Sequence, residues 1–358
     1  MIHTIDLLIV FLIAGLSSFL LTYPLKKLAF TFNVVDLPNA RKIHKHQTAR
    51  LGGLAIFISF TLSLLYLRPV YEHMLEIILG AVVIVVTGLL DDRFTLRPVV
   101  KLSGQLIASS FLISSGLIIE RITLPIVGVV DLGFASVLIT VLWVVGITNA
   151  INLIDGLDGL ATGVTTIAFI SMFIMALIDG QIVATYLCVI LIGANLGFLY
   201  HNFYPASIYM GDTGSNFLGY MIAVVSMLGL FKNITLFSFI IPVIVLAVPI
   251  FDMLFAILRR LYHQEGIMMP DRKHIHYQLL DAGYSHQRTV LIIYTFSALF
   301  GCLAILFSYA PLTLSLLITV LVLMLLHLLA EVAGIVRNGK KPLLNILKKS
   351  FKRKKRHE

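Results

Sequence analysis

Apolar runs separated by short polar stretches account for most of this chain. Eleven of them read as helices that cross a membrane: residues 5–25, 52–67, 77–90, 99–118, 134–150, 160–178, 182–200, 216–231, 234–258, 289–309 and 312–335. The pattern predicts an all-α, polytopic membrane protein with about 11 transmembrane helices. Several runs are short for a full crossing, so loop residues are expected to be drawn in at one face. No internal repeat or low-complexity linker interrupts the series.

Composition agrees with this pattern. Of 358 residues, 59% are hydrophobic and only 13% charged, against about 25% charged in soluble domains; mean hydropathy is +0.98. Cys188 and Cys302 each lie inside an apolar run, which supports neither a disulfide framework nor a thiolate metal site.

The net charge of +9 is informative through its distribution. Assigning alternate loops to opposite sides puts 24 of the 27 Lys and Arg residues on one side, leaving Arg68, Arg121 and Lys232 on the other. That bias predicts an outside N-terminus and a cytoplasmic C-terminus. Lys26 and Lys27 follow the first run with no small-residue cleavage site, so it reads as a retained helix. Residues 1–336 form one membrane domain and 337–358 a basic cytoplasmic tail. Between Lys340 and Arg356 nine Lys or Arg residues surround Leu343, Leu344, Ile346, Leu347 and Phe351. This composition suits a surface helix drawn to anionic lipid, with no nucleic-acid role.

The chemistry-bearing residues concentrate in the loops assigned to the cytoplasmic side. Asp155 and Asp158, each followed by a glycine, lie in Asn149–Gly163 with Asn152 three residues ahead of the first. No Lys or Arg is near them in sequence, and carboxylates beside a bilayer are tolerated most readily when they hold a cation or polar ligand. Asp91 and Asp92 end another apolar run, where adjacent carboxylates repel unless a cation or shared proton relieves them. Lys101, a little further on, is placed to neutralise a phosphate. Gly211-Asp212-Thr213-Gly214-Ser215 sets a carboxylate among glycines and hydroxyls, hard donors that suit Mg2+ or Mn2+.

Two basic loops complete the set. The first, Asn33–Arg50, carries Arg41, Lys42, Lys45, Arg50, His44 and His46 and leads into Leu51-Gly52-Gly53; it suits phosphate binding, although positive-inside bias alone explains it. The second, Arg259–Arg288, holds Arg260 and His274-Ile275-His276, where phosphate binding or proton transfer fits better than a closed zinc site. Asp252 and His327 are the main ionisable residues inside the runs, and Asp252 is expected to face the same site as Arg259 and Arg260. Clean spans with one decorated face favour an enzyme that joins a soluble phosphorylated substrate to a membrane acceptor. The reading from another class is a cation-dependent transporter or lipid flippase using the same acidic loops.

Taken together, the motifs resemble the polyprenyl-phosphate N-acetylhexosamine-1-phosphate transferase superfamily. The resemblance rests on Asp91-Asp92, Asn152-x-x-Asp155-x-x-Asp158, Asn202 with Gly211-Asp212-x-Gly214-Ser215, and His274-x-His276, in that order on one face. Asp271-Arg272-Lys273-His274-Ile275-His276 and the eleven runs resemble the N-acetylglucosamine-1-phosphate branch, most of all enzymes of wall teichoic acid synthesis. Two positions depart from the family pattern: Ala49 stands where a proline is usual, and Tyr277 where a further histidine is usual.

The resemblance implies a multi-pass enzyme of the cell membrane with its active site on the cytoplasmic face. It would transfer N-acetylglucosamine-1-phosphate from UDP-N-acetylglucosamine to undecaprenyl phosphate and release UMP. UDP-MurNAc-pentapeptide is the alternative donor, Mg2+ the implied cofactor with Mn2+ as substitute, and a homodimer an analogy. Asp212, with Asn152, is implied as metal ligand; Asp91, Asp92, Asp155 and Asp158 as catalytic. Lys101, Arg260, His274 and His276 would hold phosphates, and Asn152 and Asn202 would contact the substrate.

Overall fold

The computed structural model describes residues 3–36, 47–69, 71–124, 128–229, 240–264, 266 and 273–333. The basic cluster Arg41, Lys42, Lys45, His44 and His46, then Lys232, Asp271, Arg272 and the basic tail lie outside the described residues.

Helices dominate. In chain order they are α1 (Thr4–Thr31), α2 (Gly52–Leu67), α3 (Met74–Phe94), α4 (Pro98–Ser114), α5 (Ala135–Ile154), α6 (Leu160–Ile178) and α7 (Ile182–Asn202). After these come α8 (Gly211–Gly229), α9 (Ile240–Val245), α10 (Ala247–Tyr262), α11 (Ile275–Asp281), α12 (His286–Ser308) and α13 (Leu312–Ala333). Among the described residues, seven helices are long and apolar enough to cross a membrane by length and composition: α1, α3, α5, α6, α7, α12 and α13. The protein is all-α in class and multi-pass in character. Two short antiparallel hairpins, which the apolar pattern did not predict, join helices: β1 (Val35–Asp36) with β2 (Thr48–Ala49), and β3 (Arg121–Leu124) with β4 (Gly128–Asp131).

The run expected as one helix over 234–258 is two helices, α9 and α10, where it is described. The cause is Pro249, which has no N–H to give the carbonyl of Val245 four residues back, so the ladder is interrupted at Leu246.

Helix α8 is the hub. It packs mainly against α3 and α5, and also against α2 and α6. Every residue of α8 except Asp212 is buried. A helix surrounded by others can carry small and polar residues that lipid would reject, and these act as inter-helix glue. Trp143 Nε1 on α5 donates to Ser226 Oγ on α8 (2.9 Å), and Tyr220 Oη on α8 donates to the carbonyl of Ile77 on α3 (3.1 Å). Gly88 on α3 lets the two backbones meet: a Cβ there would lie 2.5 Å from Cα of Thr213.

Because that neighbour is backbone, it cannot rotate away. Gly88→Ala is expected to destabilise the protein by about 1–3 kcal/mol, the usual cost of overpacking, read as a lower unfolding midpoint in detergent.

Candidate active site

Where α3 ends, it delivers two carboxylates to the start of α8. Helix α3 runs through both Asp91 and Asp92 to Phe94, and left-handed Thr95 (φ 52°) closes it. Asp92 is buried, and its carboxylate accepts from the Asp212 N–H (2.8 Å), the Thr213 N–H (3.0 Å) and the Thr213 hydroxyl (2.7 Å). An anion thus caps α8 from a different helix and meets the positive end of its dipole. Gly211 makes this approach possible: it adopts φ +70°, and a Cβ there would lie 2.6 Å from Asp92 Oδ2 and from the Arg50 carbonyl. The helix therefore begins at Gly211, with Asp212 in its first turn.

Cations interleave with these acids. The Lys101 ammonium on α4 pairs with Asp91 Oδ2 (2.7 Å) and also contacts Asp212 Oδ2. The Arg50 guanidinium lies 3.5 Å from Asp92, 3.6 Å from Asp212 and 3.9 Å from Asp36. Asp91 Oδ1 is occupied by the Leu96 N–H (2.7 Å). Below this cluster a narrow cleft is lined by Ile84, Thr87, Gly88, Gln105 and Asn216.

Arg50 reaches the site because its strand is zipped to the loop ahead of α8. Ala49 bridges Ile208; Tyr209 N–H donates to the Ala49 carbonyl (2.8 Å), Gly52 N–H to the Tyr209 carbonyl (3.0 Å) and Gly53 N–H to the Met210 carbonyl (2.8 Å). From the sequence Arg50 is one cation of a basic loop, with nothing to pair it to these carboxylates. Its place directly ahead of Gly52-Gly53 was the available signal.

The Asn152–Asp158 turn adjoins the cluster. Asn152 Nδ2 donates to Ser215 Oγ on α8 (2.9 Å). Asp155, just past α5, is partly exposed yet surrounded by protein atoms. Burial first, and then repulsion from Asp212, push its pKa up to about 7. Asp158 Oδ2 accepts from the Ala206 N–H (2.9 Å). Asn202 is engaged at both ends of its amide, accepting from Thr162 Oγ1 (2.7 Å) and donating to the Ile208 carbonyl (3.0 Å).

The histidines form the third part. His274 and His276 are buried and stack, with ring planes 4° apart and centroids 5.9 Å apart. His276 packs on Gly156, where a Cβ would meet its Nε2 at 2.1 Å, so this pair and the carboxylate turn are in contact. Arg260 is buried on α10. Asp91, Asp92, Lys101 and Asp212 therefore meet directly, with Asn152 and Asp155 adjoining them.

Burial pushes the His276 pKa down to about 4; Asp252 opposes this, and His274 and His286 add to it. The folded state thus holds the neutral ring, whereas an unfolded chain takes up a proton near 6.5. This residue's contribution to stability is complete above pH 6.5 and fades as pH falls toward 4. The expected result is that His276→Gln flattens the acid-side loss of thermal midpoint measured between pH 7 and 5.

Known proteins are similar to this chain in sequence. The family model for glycosyl transferase family 4 covers residues 74–230, from the start of α3 past the end of α8. A "probable undecaprenyl-phosphate N-acetylglucosaminyl 1-phosphate transferase" of Bacillus subtilis (strain 168) is 42% identical over 351 residues, 98% of each chain. The decaprenyl-phosphate N-acetylglucosaminephosphotransferase of Mycobacterium tuberculosis (strain ATCC 25618 / H37Rv) is 36% identical over 321 residues, 81% of this chain and 79% of its own. A phospho-N-acetylmuramoyl-pentapeptide-transferase of Lacticaseibacillus paracasei is 38% identical over 201 residues, 51% of this chain and 62% of its own. End-to-end similarity of this degree, with the carboxylates on helix ends inside the matched region, makes the chain a member of glycosyl transferase family 4 and an enzyme of the glycosyl-1-phosphate transferase type.

Proposed function

We propose that the protein transfers N-acetylglucosamine-1-phosphate from UDP-N-acetylglucosamine to undecaprenyl phosphate at the cytoplasmic face of the cell membrane, releasing UMP. The observation that carries this reading is the convergence of Asp91, Lys101 and Asp212 from three helices, at the ends that charge bias assigns to the cytoplasm. Coverage supports this donor: the N-acetylglucosaminyl relative matches across 98% of the chain and the pentapeptide enzyme across 51%. Eleven crossings, an outside N-terminus and a first step toward wall teichoic acid belong to the same proposal. Membership of an enzyme family removes the ground for the transporter alternative.

In this reaction an oxygen of the lipid phosphate attacks the β-phosphorus of the sugar nucleotide. The bond from that phosphorus to the bridging oxygen breaks, and its electrons leave with UMP. Two polyanions must meet, so the barrier is largely electrostatic. The residues fit Mg2+: Asp91 and Asp212 already converge on one cationic group through carboxylate oxygens, and Asn152, whose Nδ2 donates to Ser215 one turn along α8, carries an amide oxygen as a further hard donor. Asp212 and Asn152 would hold the ion, which when bound screens the diphosphate charge and stabilises the leaving UMP. Among the described residues no three His, Cys, Asp or Glu side chains form a closed metal cage; substrate phosphates would complete the coordination.

The chain's own groups divide the remaining work. Asp91, whose carboxylate meets Lys101, orients the incoming lipid phosphate, which is already mostly ionised near neutral pH. Asp92 acts through the α8 N–H groups that it holds. Lys101, Arg260, His274 and His276 bind phosphates, Asp155 and Asp158 order the nucleotide, and Asn202 shapes its pocket through the loop it ties.

The test is UMP release by purified protein given UDP-N-acetylglucosamine, undecaprenyl phosphate and Mg2+. Release should require the lipid and disappear with EDTA; UMP only with a different UDP-sugar would move the substrate and keep the chemistry. Asp212→Asn is expected to lower kcat by about 10²–10³-fold, the cost of losing one strong electrostatic contact in the transition state, with membrane expression unchanged. Near wild-type turnover in that variant would remove the metal assignment.

A further inference from the structure

A buried acid stands apart from the carboxylate cluster. Asp252 lies on α10 among Ile250, Phe251, Met253 and Leu254 and is 4% exposed. A carboxylate at such a position persists when its oxygens are satisfied. Both are: Oδ1 accepts the Ile275 N–H (2.9 Å), and Oδ2 lies 3.0 Å from His274 Nδ1. The two donors are consecutive residues from the loop that follows α10.

The first bond is an ordinary need. Residue Ile275 opens α11, and His274 at the cap position gives it no side-chain acceptor, so Asp252 satisfies an orphan N–H. The second bond does something that capping does not require. A carboxylate on Nδ1 fixes the ring's orientation and keeps a proton on that nitrogen, leaving Nε2 as the free functional end. It also offsets the positive charge that the ring carries when Nε2 is protonated as well and donates to a phosphate oxygen. His274 in turn stacks on His276, which rests on Gly156 beside Asp155. Orientation set at Asp252 is therefore passed through two rings to the carboxylate turn.

We infer that Asp252 is a positioning residue of the transfer reaction, fixing His274 so that its Nε2 faces a phosphate of the bound sugar nucleotide. This rests on the proposed function and adds a residue beyond the region that the family model covers. Asp252→Asn keeps one acceptor and cannot satisfy both donors. It should raise KM for UDP-N-acetylglucosamine and lower kcat/KM about 10–100-fold, the usual cost of losing such a partner, with KM for undecaprenyl phosphate unchanged. In a His274→Gln background the same change should add less than about threefold, since partners acting through one another are non-additive; Asp252→Glu should recover part of the loss. Full multiplicative losses, or an unchanged KM for the sugar nucleotide, would overturn the inference.

A second measurement needs no change at Asp252. In wild-type protein labelled with 15N-histidine, the ring signal that disappears in His274→Gln should report a protonated Nδ1; an unprotonated Nδ1 would sink the proposal. If wild-type protein releases no UMP, the functional reading fails, while this spectrum still decides the Asp252–His274 pairing.

Discussion

Three donors at the first turn of α8 converge on one buried carboxylate, and the position of the reactive cluster depends on that contact. The N–H groups of Asp212 and Thr213 and the Thr213 hydroxyl would otherwise be orphans at a largely buried helix start. Asp92 satisfies them from α3 and fixes where α8 begins. Because α8 is enclosed by its neighbours, fixing its start also fixes the bundle around it. Asp212, its one partly exposed residue, is then held beside Asp91 and Lys101 with little freedom to move.

Such a concentration of acids near a bilayer is costly by itself. Its tolerance here has a visible source. Lys101 and Arg50 each touch two or more of the carboxylates, from opposite sides of the cluster. Neither cation is locked away, as both side chains keep partial contact with solvent. The arrangement is therefore held in backbone and adjustable in charge, which suits the proposed role of accepting polyanions and releasing them.

Hydrophobic length is a one-dimensional property. The split of α9 from α10 and the short α11 escaped it, but most of the long helices could be read from the chain with errors of a few residues at their ends. Those errors have tertiary causes. Helix α3 runs on through Asp91 and Asp92 because partners elsewhere in the fold stabilise the two acids, and α8 starts early because Asp92 caps it. The carboxylates that meet around Lys101 were marked by motif. Their division of labour was not: nothing in the sequence distinguishes Asp91, paired to an ammonium, from its neighbour committed to a helix end. Arg50 and Asp252 were legible as charges but not as contacts, since their partners are remote in sequence. The short hairpins and the interruption at Leu246 follow from local hydrogen-bonding detail that apolar pattern does not encode.

The cap on α8 also has a consequence for biosynthesis. Asp92 and its Asp212 donor are separated by 120 residues, as are Lys101 and Asp212 by 111. During synthesis α3 is made, with Asp91 and Asp92 at its end, well before their partners on α8, although Arg50 precedes them and Lys101 follows closely. Until α8 arrives, those acids have to remain near the aqueous interface. The arrival of one enclosed helix thus completes the scaffold and the charge cluster in the same event.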